Sequence, residues 1–284
     1  MIIKNLENVD FSIIHKAFVE AFIDYELPPM SEDELKQMVS RRGFDPKISY
    51  GAFDKNELVS FTLNGLGKWK GELTAYDTGT GTIKEYRAKG LAKRIFSESV
   101  PDLKALGIKQ YLLEVLQHNN KAVGLYTKSG FKTVREFDYY VVNKIDYKTR
   151  MRHIDPSITI EPIDLPINPI ANNFWDFEPA WQNSMDSVER SRHNFKALGA
   201  FYKNELVAYG IVELNTGDMT QIATHKKYRR QGIGTQLLQS MIEAIPGESF
   251  KFINTDKTCA SIKKFLENLN IKPLGSQFEM LKEL

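Results

Sequence analysis

Gly51-Ala52-Phe53-Asp54-Lys55-Asn56-Glu57-Leu58-Val59 returns as Gly199-Ala200-Phe201-Tyr202-Lys203-Asn204-Glu205-Leu206-Val207, with only Asp54 exchanged for Tyr202. The copies lie 148 positions apart, the difference between 199 and 51. Both read as a hairpin, two apolar runs around a polar turn. A second landmark, Tyr86-Arg87-Ala88-Lys89-Gly90-Leu91-Ala92, recurs as Tyr228-Arg229-Arg230-Gln231-Gly232-Ile233-Gly234 at an offset of 142, so the second copy has lost six residues between the landmarks. A unit that occurs twice at so long a period is a duplicated domain, because solenoid arrays repeat every 20 to 50 residues or so. The boundary is expected near residues 144 to 157, where Lys144-Ile145-Asp146-Tyr147-Lys148-Thr149-Arg150 is polar and Pro156 follows. This places one domain at 1–145 and the other at 146–284.

Composition narrows the function classes. The 284 residues are 42% hydrophobic and 26% charged, a globular balance that excludes low-complexity and wholly disordered chains. With 38 Lys plus Arg against 36 Asp plus Glu, the net charge of +2 gives no electrostatic footprint for nucleic acid. The single cysteine, Cys259, excludes an internal disulfide and a multi-cysteine zinc site. No stretch has the length and apolarity of a membrane span, and the expectation is a soluble, cytoplasmic chain without a metal.

Each unit reads as mixed α/β. Ile2 to Leu6 is a short strand, and Ile13, Ile14, Ala17, Phe18, Ala21 and Phe22 keep helical spacing. Ser31 with Glu34 is a capping-box start for a second helix toward Arg41. Strands are expected at 48–53, 58–63 and 73–83, then a helix on which Leu91, Ile95 and Phe96 share a stripe with Ile233, Leu237 and Leu238 of the other copy. Pro101 is expected to bend or end that helix. A strand over Tyr111 to Leu116, a helix from Lys121 to Ser129 closed by Gly130, and strands over Val134 to Val142 complete the first unit. The second repeats this with its opening helices reduced.

In both units a strand runs into Arg-x-x-Gly-x-(Ala or Gly) and then directly into an amphipathic helix. Unpaired backbone N–H groups and the positive end of the helix dipole there suit a pyrophosphate. No Gly-Lys-Ser/Thr follows and no Gly-x-Gly-x-x-Gly is present, so neither a P-loop nor a dinucleotide fingerprint fits. These segments resemble the acyl-CoA pyrophosphate loop of the GCN5-related N-acetyltransferase (GNAT) superfamily. Leu113-Glu114-Val115 with Asn119, and Leu125-Tyr126-x-Lys128-x-Gly130-Phe131, resemble the second half of that domain.

The resemblance implies two tandem acyl-CoA N-acyltransferase domains, each a mixed, mostly antiparallel sheet flanked by helices. It implies acetyl-CoA as co-substrate and a primary amine, on a small molecule or peptide, as acceptor. Acyl-CoA contacts are implied at Thr82, Arg87, Ala88, Lys89, Gly90, Leu91, Ala92 and Asn119. The second copy offers Thr224, Arg229, Arg230, Gln231, Gly232, Ile233 and Gly234. The pantetheine arm is implied between the strand before the loop and the next one.

Amine acetylation needs a base for the amine and an acid for the departing thiolate. The resemblance implies Tyr126 as the acid and Glu114, twelve residues earlier, as the base. The second unit carries Leu266 and Asn254 at the matching places, which cannot do this proton work. Chemistry is therefore expected in the first unit, with acyl-CoA binding retained in the second. Two alternatives stay open: a non-catalytic acetyl-CoA-binding protein, or catalysis by the second domain with a residue such as His225. Phe22, Asp24, Tyr25 and Met30, and Trp175, Trp181 and Gln182 in the other copy, fall where acceptor clefts lie in related enzymes, and Asp24 is suited to attract an amine.

Overall fold

The computed structural model describes residues 1–24, 29–148, 154–167 and 169–284. Tyr25 and the end of the polar boundary stretch, Thr149-Arg150, lie outside these. Two compact units emerge, one built from Met1–Val134 with Phe278–Leu284, the other from Arg135–Gln277.

In the first unit the strands lie in the order β1 (Ile2–Asn5), β2 (Tyr50–Asp54), β3 (Glu57–Trp69), β4 (Glu72–Thr82) and β5 (Gln110–Leu116). Residues 278–283, from the last strand of the chain, follow β5. β1 to β4 are antiparallel neighbours, whereas β4 and β5 run parallel. Helix α1 (Phe11–Ala21) buries Ile14, Ala17 and Ala21 in a core that includes Phe61 and Leu63. Helix α2 (Glu32–Arg41) starts at the expected capping box: Glu34 N–H donates to Ser31 Oγ at 3.3 Å, and Ser31 N–H donates to Glu34 Oε2 at 2.7 Å. Helix α3 (Leu91–Ala105) runs four residues past Pro101, so proline does not end it. Helix α4 (Asn120–Lys128) follows β5 and closes at Gly130, whose φ of +91° a side chain would disfavour.

The strand expected to complete the first unit goes elsewhere. β6 (Lys132–Asn143) pairs from Phe137 onward with a strand of the second unit, β11 (Ser249–Asp256). In exchange the end of the chain enters the first core, where Phe278, Met280 and Leu284 pack with Tyr111 and Phe131, and Leu284 N–H donates to Lys109 O at 2.8 Å. The compact units therefore do not follow a single cut at 145/146. Both candidates are strands of similar pattern, and side-chain alternation does not encode which edge a strand joins.

The second unit orders β6, β11, β10 (Asp218–Thr224), β9 (Glu205–Glu213), β8 (Phe195–Tyr202) and β7 (Ile158–Pro162). Its opening helices are reduced to short 3-10 turns and the six-residue α5 (Met185–Arg190). Helix α6 (Ile233–Ala244) buries Ile233, Leu237, Leu238, Met241 and Ile242, and α7 (Ala260–Asn268) follows β11. The duplication extends to irregularities. The β2–β3 hairpin shifts register between Ala52 and Phe53, and the β8–β9 hairpin shifts between Ala200 and Phe201, 148 positions on.

Candidate active site

The loops before α3 and α6 share one backbone shape. Ala88 and Gly90 have φ of +61° and +73°, and Arg230 and Gly232 have +66° and +88°. Alternation of left-handed residues turns successive N–H groups to one side, which makes a concave nest for an anion at the helix N-terminus. A Cβ built on Gly90 meets nothing within 4 Å, so the space before the loop is open.

Next to each loop the sheet opens. Pairing of β4 with β5 is confined to Thr74 with Gln110, Ala75 with Tyr111 and Tyr76 with Leu112, and that of β10 with β11 to Asp218 with Lys251. β4 carries an extra residue, Thr78, where its register with β3 passes from Asn64–Asp77 to Leu63–Gly79. β10 shifts between Asp218 and Gln221, at the equivalent place. A bulge re-aims backbone groups and bends the strand away from its neighbour.

In the first unit polar side chains gather at this opening. Tyr126 Oη donates to Asp77 Oδ2 at 3.1 Å, linking α4 to β4. Asp77 also accepts from Thr80 Oγ1 at 2.8 Å and Gly79 N–H at 2.9 Å. Tyr76 Oη donates to Glu114 Oε2 at 3.0 Å, and Arg42 Nη1 donates to Thr78 O at 2.9 Å. Burial raises the Asp77 pKa, against the pull of its donors Thr80, Tyr126 and Gly79 and of the Arg42 charge. Burial, then the Asp77 charge, pushes the Tyr126 phenol well above 10, and burial with the Glu114 charge does the same to Tyr76. The fold thus brings Tyr126 and Glu114 to one opening, with Asp77 and Tyr76 as their partners. Sequence reasoning missed Asp77; the run Asp77-Thr78-Gly79-Thr80-Gly81-Thr82, too polar for an ordinary core strand, is the signal that was there.

The second unit differs at the same positions. Met219 stands 142 residues from Asp77, and Leu266 stands 140 from Tyr126; both are buried. A cavity of about 610 Å³ lies there, lined by β10, β11, α7 and the loop before α6, with Trp175 and Asn254 in its wall. Tyr209 accepts from Trp175 Nε1 and donates to Gln221 Oε1 at 2.8 Å, and burial raises its pKa to about 12.

The loop arginines are engaged with protein. Arg87 Nε donates to Thr82 O at 3.2 Å, Nη2 to Ala21 O at 2.9 Å and Nη1 to Asp24 at 2.6 Å. Asp24 is thereby paired with Arg87 and Lys84. Thr82 Oγ1 lies 2.8 Å from Ser60 Oγ. Leu91 and Ile233 are core residues, so only their backbone faces the nest. Asn119 caps α4, its Oδ1 accepting from Ala122 N–H at 3.2 Å. His225 Nδ1 accepts from Lys227 N–H at 3.3 Å and its ring packs on Phe174. Trp181 and Gln182 are buried.

The model of the acetyltransferase (GNAT) family matches residues 12–131 and 167–262. The chain belongs to the acetyltransferase (GNAT) family. Each match falls within one compact unit. The N-alpha-acetyltransferase MAK3 of Arabidopsis thaliana is 25% identical over 101 residues, 36% of this chain and 53% of that protein. N-alpha-acetyltransferase 30 of Schizosaccharomyces pombe is 26% identical over 102 residues, 36% of this chain and 68% of that protein. The chain thus spans about half to two thirds of these relatives. Among solved structures, a tandem GNAT protein from the clavulanic acid biosynthesis pathway superposes with a TM-score of 0.73 at 12% identity, covering 99% of this chain and 98% of that one. A putative acetyltransferase of Pyrococcus horikoshii gives 0.70 at 14% identity, covering 100% and 89%. These two carry the fold: tandem GNAT domains of mixed α/β type. Among the described residues no helix is long and apolar enough to cross a membrane.

Proposed function

We propose that the chain is an acetyl-CoA-dependent N-acetyltransferase whose chemistry is done in the first unit. The observation that carries this is the Tyr126–Asp77 hydrogen bond of 3.1 Å, set against Leu266 and Met219 in the second unit. The nest formed by Ala88 to Ala92 holds the pyrophosphate through backbone N–H groups, and the thioester lies at the opening between β4 and β5. Glu114 takes a proton from the acceptor ammonium, the free amine attacks the thioester carbonyl carbon, and the C–S bond breaks. The departing thiolate takes the Tyr126 proton, and the phenolate left behind takes the second proton of the attacking nitrogen, which restores Tyr126 and leaves a neutral amide. Asp77 sets when that is possible: a buried phenolate 3.1 Å from a carboxylate would place two anions side by side, so Tyr126 gives up its proton only while Asp77 is neutral. Burial, which raises the Asp77 pKa, favours that state.

The acceptor is a primary amine. Because two relatives bear the name N-alpha-acetyltransferase, peptide α-amines are the first acceptors to test. The test is thiol release from acetyl-CoA by the full chain over a panel of peptide and small-molecule amines, with Tyr126→Phe in parallel. Turnover in the wild type and its loss in the variant are expected; equal turnover in both refutes the assignment.

A further inference from the structure

Arg42, at the C-terminal end of α2, reaches the bulge of β4. A glycine makes the approach possible: a Cβ built on Gly65 would overlap Arg42 O, so only glycine lets the end of α2 lie this close to β3. Backbone bonds fix it there, Asp45 N–H donating to Asn64 O and Leu66 N–H to Gly43 O, both at 2.9 Å. Asn64 and Gly65 are the β3 residues paired with Asp77 and Tyr76, so the arginine arrives beside those two. Its Nη1 donates to Thr78 O at 2.9 Å, and Thr78 is the extra residue whose backbone the ladder leaves unpaired. The second unit lacks both features. Glu213 stands 148 positions from Gly65 and Met219 stands 142 from Asp77, and Glu213 pairs with Asp218 as Gly65 pairs with Tyr76. Where the carboxyl is absent, so is the glycine that admits the arginine.

Taken alone, the bond to Thr78 O is a brace. It also brings a charge that does not titrate to a carboxyl that must be neutral for Tyr126 to release its proton. We propose that Arg42 is a positioning residue of the first unit's transferase centre: it holds the β4 bulge through Thr78 O, and its fixed charge beside the Asp77–Tyr126 pair sets the pH above which Tyr126 keeps its proton. The inference rests on the reading of Tyr126 as the acid. Among the described residues, the ionisable groups facing Asp77 are Tyr126 from α4, Tyr111 from β5, Tyr76 beside it on β4, and Arg42, while Glu114 faces Tyr76. Burial lifts all three phenols well above 10, so they are neutral at physiological pH. The positive charge acting on Asp77 is that of Arg42, which favours the carboxylate and so opposes burial. Without that charge Asp77 holds its proton to higher pH, and Tyr126 stays competent there.

The test reads Asp77 directly, by carbon NMR of the full chain labelled at its aspartate carboxyls, with the Asp77 signal identified by its loss in Asp77→Asn. Its titration is compared in wild type, Arg42→Gln, Arg42→Lys and Gly65→Ala, and kcat is followed against pH in the same proteins. Arg42→Gln should raise the Asp77 midpoint by about one pH unit, roughly tenfold in proton affinity, and carry the alkaline decline of kcat up with it. Arg42→Lys keeps a charge and should move the midpoint less than about half as far. Gly65→Ala leaves the arginine in place along the chain but pushes the end of α2 off β3, and should shift both readouts in the same direction as Arg42→Gln; it carries the test if urea unfolding shows that Arg42→Gln does not fold. An Asp77 midpoint unmoved in the folded variants, or moved equally by Arg42→Lys and Arg42→Gln, reduces Arg42 to a brace and overturns the proposal. A midpoint that moves while the kcat profile stays overturns the link to Tyr126. Failure of the transferase reading registers separately, as no thiol release from the wild type with any amine, while the carboxyl titration still reads the effect of Arg42 on Asp77.

Discussion

Arg87 and Arg229, 142 positions apart, make the same three contacts. Arg229 Nε donates to Thr224 O at 2.9 Å, Nη2 to Phe174 O at 3.1 Å and Nη1 to Asp176 Oδ2 at 2.8 Å, matching Arg87 with Thr82 O, Ala21 O and Asp24. In each unit the arginine of the loop motif ties the end of the strand before the loop to the segment that precedes the first hairpin. Asp176 is pushed up by burial, but donors from Ser261 and Arg229 outweigh this and hold its pKa below the ordinary carboxylate value. The guanidinium therefore braces the loop from behind, engaged with protein acceptors.

Three acceptors in different directions need a planar fork, which lysine lacks. Arg229→Lys should destabilise the second unit by about 1–2 kcal/mol, a fall of roughly 2–8 °C in its thermal midpoint by calorimetry. A midpoint unchanged within error would show that the clamp contributes nothing.

Tyr126→Phe keeps the ring, which packs on Phe131 at 5.5 Å between centroids, and removes the proton. kcat should fall by about 100- to 10,000-fold, with acetyl-CoA affinity nearly unchanged, since the phenol acts as thiolate leaves. Steady-state kinetics with a confirmed amine separates the two parameters. A rise in KM with kcat intact would make Tyr126 a binding residue.

Asp77→Asn tests the partner of that phenol. In the folded protein the Asp77 pKa lies above its ordinary value of 3.8, so the folded state holds a proton that the unfolded state has released. Stability therefore falls as pH rises from that ordinary value through the raised one, and the ionised group destabilises the fold above it. The asparagine variant should be more stable than wild type at pH 7 and less sensitive to pH across this window, as read by urea unfolding. Its kcat should lose the decline that sets in as Asp77 ionises. An unaltered kcat–pH profile separates Asp77 from Tyr126.

The glycines of the loop motif should differ in tolerance. Gly90, at φ +73°, should accept alanine only at about 1–2 kcal/mol of backbone strain, although a Cβ there meets nothing. A Cβ on Gly234 comes no nearer than 3.5 Å to Phe265 and 3.6 Å to Thr224, ordinary contacts, and the first unit already has Ala92 there. Gly234→Ala should change stability by less than about 0.5 kcal/mol. Calorimetric titration with acetyl-CoA should show weaker binding for Gly90→Ala and near-normal binding for Gly234→Ala.

The duplication, the two loops and nearly every element were legible in the sequence, because each is a local property. A hairpin turn, a capping box, a stripe on a helix and a glycine turn before a helix are set by residues within a few places of one another. The polar residues gathered at the opening of the first unit were half legible: Tyr126 and Glu114 stand in recognisable segments, whereas Asp77 and Tyr76 gain meaning only from the Oη–carboxylate distances that bring α4 to β4 and β4 to β5. The exchange of strand ends was not legible. Residues 135–143 and 278–283 both read as strands, and their places follow from which core Tyr140, Phe278 and Met280 fill. The sequence by itself determined a duplicated unit with a glycine loop before a helix in each copy. Tertiary structure decided which strand closes each unit, that the loop arginines brace backbone, and that Tyr126 meets Asp77, because such contacts join residues distant along the chain and depend on burial.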